Sequence, residues 1–172
     1  TGEESWRFHT GGPVRFAPAC VAGRAYVACD DGFLYCLEVS TGALVWKFQA
    51  APRDRFLLGN GRLTSAWPVR GAPVIDTYER SPGVFVDAVY FSAGIFPFEG
   101  VFIYALDAET GGVVWVNDGT GATWMDQPHN TPSFAGPGPQ GYFVSISDKL
   151  IVPGGRSVPA GLDRGTGEML YY

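Results

Sequence analysis

The chain has 172 residues, 46% of them hydrophobic and 15% aromatic, with a formal net charge of -5; this suits one folded domain and excludes a general role in coating nucleic acid or an anionic membrane surface. No apolar run approaches the ~18 residues of a membrane-spanning helix, and residues 1–20 lack the charged start and apolar centre of a signal peptide. Glycine (24) and proline (13) punctuate the chain often, as in a protein built from short strands and turns.

In chain order, TGEESWRF at 1–8 reads as a single strand, the outer edge of a sheet. Four strands follow at 16–22, 25–29, 33–38 and 43–49, and Asp31-Gly32 supplies the left-handed backbone of a tight hairpin. An arginine-rich interruption, AAPRDRFLLGNGRLTSAWPVRG, fills 50–71. Four more strands are expected at 72–76, 86–93, 101–107 and 112–117, with AGIFPFEGV at 93–101 in place of a tight turn. DGTGATWMDQPHNTP at 118–132 leads to the last four, at 142–146, 149–153, 157–163 and 168–172. Cys20, Cys29 and Cys36 sit in strand-like runs and not at metal-ligand spacing. Buried thiols, one disulfide or a reactive thiol all remain open readings.

One element recurs four times: TGEESWRF, TGALVWKF, TGGVVWVN and TGEMLYY. An aromatic residue falls five positions after each Thr, at Trp6, Trp46, Trp115 and Tyr171. Upstream, CLEVSTG, ALDAETG and GLDRGTG hold Leu37, Leu106 and Leu162, each followed by an acid, in one register. Four antiparallel strands per repeat of 40 residues or more describe a β-propeller blade. The inner strands are apolar at consecutive positions, as sheets packed on both faces require.

These residues, above all AYVACDDGFLYCLEVSTGALVWKF at 25–48 and VFIYALDAETGGVVWVND at 101–118, resemble the pyrroloquinoline quinone (PQQ) repeat of quinoprotein-type propellers. The resemblance implies an all-β propeller, here an arc of about three blades at 13–49, 72–117 and 131–172, with residues 1–8 as the outer strand of a preceding blade and 50–71 and 118–130 as inserted loops on one face. It implies docking between blades by Trp6, Trp46 and Trp115, from which Tyr171 departs. The arc reads as cut from a larger bacterial protein whose remaining blades are its first partners, in a periplasmic or extracellular setting.

Two functions come with the resemblance. In the first, the repeats are a scaffold that binds a protein or a planar anionic small molecule. In the second, they belong to a PQQ- and calcium-dependent dehydrogenase of alcohols or sugars. The alcohol-oxidising members stack the quinone on a disulfide between adjacent cysteines, and no such pair occurs here. The insertions supply the candidates. Arg55, Arg62 and Arg70 are matched to carboxylates or are solvated and paired with acids of another blade. Trp67, Phe96 and Trp124 either stack on a planar ligand or pack the loops. Glu99, Asp126 and Asn130 offer oxygen ligands to a hard cation. His129, with Asp126, is the candidate for general-base work and otherwise a hydrogen-bonding loop residue. No other catalytic motif stands out.

Overall fold

The computed structural model describes residues 2–59, 61–119, 123–126, 130–154 and 158–172, the side chains of residues 123 and 125 excepted. Strands β1 (Ala19–Val21), β2 (Arg24–Ala28), β3 (Phe33–Glu38) and β4 (Leu44–Gln49) form an antiparallel sheet in that order. A separate hairpin, β5 (Phe56–Gly59) and β6 (Arg62–Ser65), and the short β7 (Gly71–Ala72) lead to β8 (Val74–Ser81), β9 (Val84–Ala93), β10 (Phe102–Asp107) and β11 (Val113–Asn117), the second sheet. A further hairpin, β12 (Thr123–Asp126) and β13 (Pro132–Ala135), precedes β14 (Gly141–Tyr142), which runs parallel to β7. Strands β15 (Val144–Ile146), β16 (Lys149–Val152), β17 (Ala160–Asp163) and β18 (Met169–Tyr171) form the third sheet. The three four-stranded antiparallel sheets are propeller blades in an open arc.

The core lies between blades. Along β9, Val89, Phe91 and Ala93 face blade 1, where they meet Tyr26, Ala28 and Leu34. Ala88 and Tyr90 face blade 3 and meet Leu150, Val152 and Leu162. Strand β10 divides in the same way, Tyr104 and Leu106 to one side and Ile103 and Ala105 to the other. Successive side chains of a strand point to opposite faces, so a strand between two neighbours must be apolar throughout. That is why these runs do not alternate with polar residues.

The recurrent motif builds the joint. In each blade the register of the last strand pair slips once, between Cys36 and Leu37, Ala105 and Leu106, and Gly161 and Leu162, a bulge that turns the chain into the Thr-Gly corner. The indole N–H of Trp6 donates to the Val39 carbonyl at 2.7 Å, that of Trp46 to Ala108 at 3.2 Å and that of Trp115 to Arg164 at 2.9 Å. Val39, Ala108 and Arg164 occupy the same repeat position, each in the blade after its tryptophan. The corner glycines Gly42, Gly111 and Gly167 have φ of +73°, +73° and +76°, and a Cβ on them would stand 2.5, 2.8 and 2.4 Å from the indoles of Trp6, Trp46 and Trp115. Glycine is thus required twice over, for the left-handed backbone and for the close approach of the ring. Tyr171 has a different place: its ring lies over Gly161 of its own sheet, 2.2 Å from where a Cβ would be.

Two segments differ from the expected strands. Residues 2–10 carry no strand pairing, although Trp6 sits on the blade 1 corner. Strands β8 and β9 extend to Ser81 and back from Val84, well past the expected 76 and 86. The Glu79-to-Phe85 stretch continues the ladder to a turn at Pro82-Gly83, and its polar composition hid it.

Candidate functional site

The insertions fold onto one another at one end of the blades. Residues 50–71 are laced to the β2–β3 turn by Ser65 N–H to the Asp30 carbonyl at 2.8 Å and Val69 N–H to the Cys29 carbonyl at 3.0 Å. The same insertion meets residues 93–101, since Gly94 N–H donates to the Pro68 carbonyl at 3.1 Å and the Trp67 indole N–H to the Glu99 carbonyl at 2.7 Å. Pro97–Glu99 forms one turn of 3-10 helix, and β13 lies against it. The first two insertions and β13, the strand that follows the third, therefore gather around this turn.

Their candidate residues have unequal roles. Trp67 is buried, with the Arg53 guanidinium 5.6 Å from its ring centre, so it anchors the loop. Arg55 forms an ion pair with Glu99, which commits both. Phe96 and Phe98 stand with ring centres 5.5 Å apart, and Trp124 packs edge-on against Phe134 at 5.0 Å. Arg62 lies elsewhere, beside Thr10–Pro13 along the first blade. Asp126 and Asn130 are exposed, and no three His, Cys, Asp or Glu side chains gather as a metal site among the described residues. His129 lies outside the described residues.

Arg70 belongs to a cluster that sequence reasoning missed. Its Nε and one terminal nitrogen donate to the Asp30 carboxylate at 3.1 and 2.9 Å, and the Arg15 Nε donates to the same carboxylate at 2.5 Å. The Asp30 side chain is only 1% exposed. A cavity of about 250 Å³ opens beside it, lined by Arg15, Arg70, Leu57, Leu58, Ile95 and Phe96 among others. In the sequence Asp30 is marked only by its place beside the Asp31-Gly32 turn pair. The second acid does serve the turn: Asp31 accepts from Gly11 N–H, Phe33 N–H and the Tyr35 hydroxyl.

All three cysteines are free, Cys20 exposed and Cys29 and Cys36 buried. Burial pushes both buried thiols up to about 11, which keeps them protonated and unreactive near neutral pH.

The family whose description is outer membrane protein assembly factor BamB matches residues 1–170. No curated protein matches the chain. Among solved structures, the quinohemoprotein alcohol dehydrogenase ADHIIG from Pseudomonas putida HK5 is 17% identical with a TM-score of 0.58, over 90% of this chain and 25% of that one. The quinohemoprotein alcohol dehydrogenase from Comamonas testosteroni is 18% identical with a TM-score of 0.54, over 93% and 21%. BamB from Moraxella catarrhalis is 15% identical with a TM-score of 0.48, over 97% and 50%. The chain spans half or less of the length of these proteins.

Proposed function

The chain belongs to the PQQ-repeat β-propeller family, and from that membership we propose that it works as a protein-binding scaffold, one arc of a larger propeller acting outside the cytoplasm. The observation that carries this reading is the chemistry of the face built by the insertions. Leu58 is 78% exposed, Phe98 67% and Trp124 60%, whereas Arg55 and Glu99 of the same loops are paired with each other. Aromatic and aliphatic groups held out by laced loops form the apolar centre of a protein interface. The family's description as an outer-membrane assembly factor agrees with a partner of that kind. The outward face of blade 3, with Val144 53% and Ile146 58% exposed, is the surface for a further blade.

The described residues favour the scaffold over the second reading, a PQQ- and calcium-dependent dehydrogenase. PQQ carries three carboxylates and sits beside a cation. Here Glu99 is neutralised by Arg55, Trp67 is buried under its own loop, and Arg62 is turned toward the first blade. Fold inheritance does not bring cofactor inheritance.

The test is photo-crosslinking in cells of the full-length protein, with the reactive residue placed at Phe98 or Trp124 and, as control, at Val84. Val84 and Ala93 are the two ends of β9, about 30 Å apart. A defined crosslinked product from the first two positions only is expected. Equal products from all three, or PQQ binding in calorimetry abolished by Arg55→Ala, would overturn the scaffold reading.

A further inference from the structure

The ion cluster beside the 250 Å³ cavity, built on the buried Asp30, is unbalanced. Two guanidinium groups share one carboxylate, so the unit of Arg15, Asp30 and Arg70 has one positive charge in excess. Asp30 engages Nε of Arg15, and Nε with one terminal nitrogen of Arg70. Both terminal nitrogens of Arg15 and one of Arg70 have no acceptor among the described residues. Among the described residues, Arg15 and Arg70 are the only charged ones lining the cavity; Leu57, Leu58, Pro68, Ile95 and Phe96 give it apolar walls beside the polar Thr64 and Ser65. The surplus charge lies on the solvent side of the cluster, at the part-exposed Arg15, where an anion can reach it without displacing Asp30 from Arg70.

The rigidity of the cluster adds to its suitability. Asp30 is fixed from both sides of its backbone, its N–H donating to the Pro13 carbonyl at 3.0 Å and its carbonyl accepting from Ser65 N–H at 2.8 Å. Arg70 is clamped on it by two parallel bonds, the geometry in which guanidinium positions are best defined. Arg15, held by one bond and with its side chain 41% exposed, has two donors left in a planar fork. A fork beside an apolar wall matches a carboxylate carried on an apolar body.

We infer that this cavity is a binding site for a monocarboxylate with an aromatic or short aliphatic body, its carboxylate on Arg15 and Arg70 and its body against Leu57, Ile95 and Phe96. The single excess charge suits one carboxylate and not a polyanion. The site shares Leu58 with the proposed partner face, but Phe98 and Trp124 do not line the cavity, so the two readings can be tested apart.

The test titrates 3-phenylpropionate into the full-length protein and follows binding by saturation-transfer NMR and calorimetry, beside the neutral 3-phenylpropionamide and acetate. The acid should bind with a Kd of about 1 mM or below, at least tenfold tighter than either control. Arg15→Gln leaves Asp30 paired with Arg70 and should weaken binding about tenfold without moving the melting temperature, while Arg15→Lys restores part of it. Phe98→Ala should leave it unchanged, which separates this site from partner docking. A tripeptide ending in Phe, free and amidated, tells whether a chain end supplies the same carboxylate: tighter binding of the free peptide than of the small acid places the source there. Equal binding of acid and amide, an unaffected Arg15→Gln variant, or no binding up to about 10 mM would each overturn the inference.

Discussion

The outward faces of the first and third blades differ in how they are covered, the middle strands of the first lying under an added segment and the edge strands of the third standing open. On blade 1, Ala25, Val27, Cys29, Tyr35 and Leu37 are buried, with Trp6, Phe8 and Phe33 packed on them. Gly11 and Pro13 tie the covering segment down through Asp31 and the Asp30 N–H. On blade 3, Val144, Ile146 and Tyr171 stand exposed. The cover on blade 1 has no strand pairing, so a docked tryptophan and a few backbone bonds are enough to close a blade face. A complete neighbouring sheet is not needed for that part of the burial.

The most severe way to break this comparison is to remove a tryptophan between two complete blades. Trp115→Ala takes a buried ring and its bond to Arg164 out of the blade 2–blade 3 joint, and should destabilise the protein by about 3–5 kcal/mol in urea denaturation. Gly167→Ala is expected next, at about 1–3 kcal/mol, because it strains a left-handed residue and drives a methyl group into the same indole. Gly83→Ala, equally left-handed at +77° but with nothing within 4 Å of the new methyl, isolates the backbone share at about 1 kcal/mol.

Trp6→Ala sharpens the comparison, since it should turn the closed face into an open one. A loss of about 1–2 kcal/mol is expected, together with reaction of Cys29 toward a thiol reagent; in the parent only Cys20 should label, and Cys36 should stay protected in both. The alkaline limb gives the mildest test. Burial raises Tyr26 and Tyr104 to about 12 from an ordinary 10.0, and both hydroxyls bridge blades 1 and 2, donating to the Ala108 and Ala50 carbonyls. The folded state therefore holds these protons more tightly than the unfolded one. Their stabilisation is complete below pH 10 and is lost as pH rises through about 12; the buried Cys29 and Cys36, raised from 9.0 to about 11, add a loss of the same sign that begins near pH 9, so the melting temperature should fall from there across the whole window.

The joints were readable in the sequence because they are repeated. The five-residue offset from Thr to Trp, the motif Leu and the consecutive apolar strands recur, and repetition separates such signals from chance. The parts that occur once were harder. The β5–β6 hairpin lies inside an arginine-rich stretch with no alternation of apolar and polar residues to mark it, and reads in sequence as loop. The length of β8 and β9 was masked by Glu79, Arg80 and Ser81, polar because that end of the ladder is open to solvent. Candidate residues fared according to where their partners lay. Arg55 and Glu99 came from different insertions, and nothing local marked them as a pair. The cluster of Arg15, Asp30 and Arg70 joins three stretches whose proximity only the folded arc supplies.

The joint described above also has a direction. Each tryptophan reaches forward to the corner of the following blade, and each corner receives from the blade before it. A repeat is thus plug on one side and socket on the other; blades 1 and 2 carry both parts in the same reading frame, while blade 3 keeps the socket and has Tyr171 at the plug position. A gene segment duplicated in tandem would meet a ready-made socket ahead and a ready-made plug behind, with no compensating substitution needed at the seam. Such a protein can change its number of blades by recombination while its loops diverge independently, because heredity of the joint and heredity of the binding face are written in different residues.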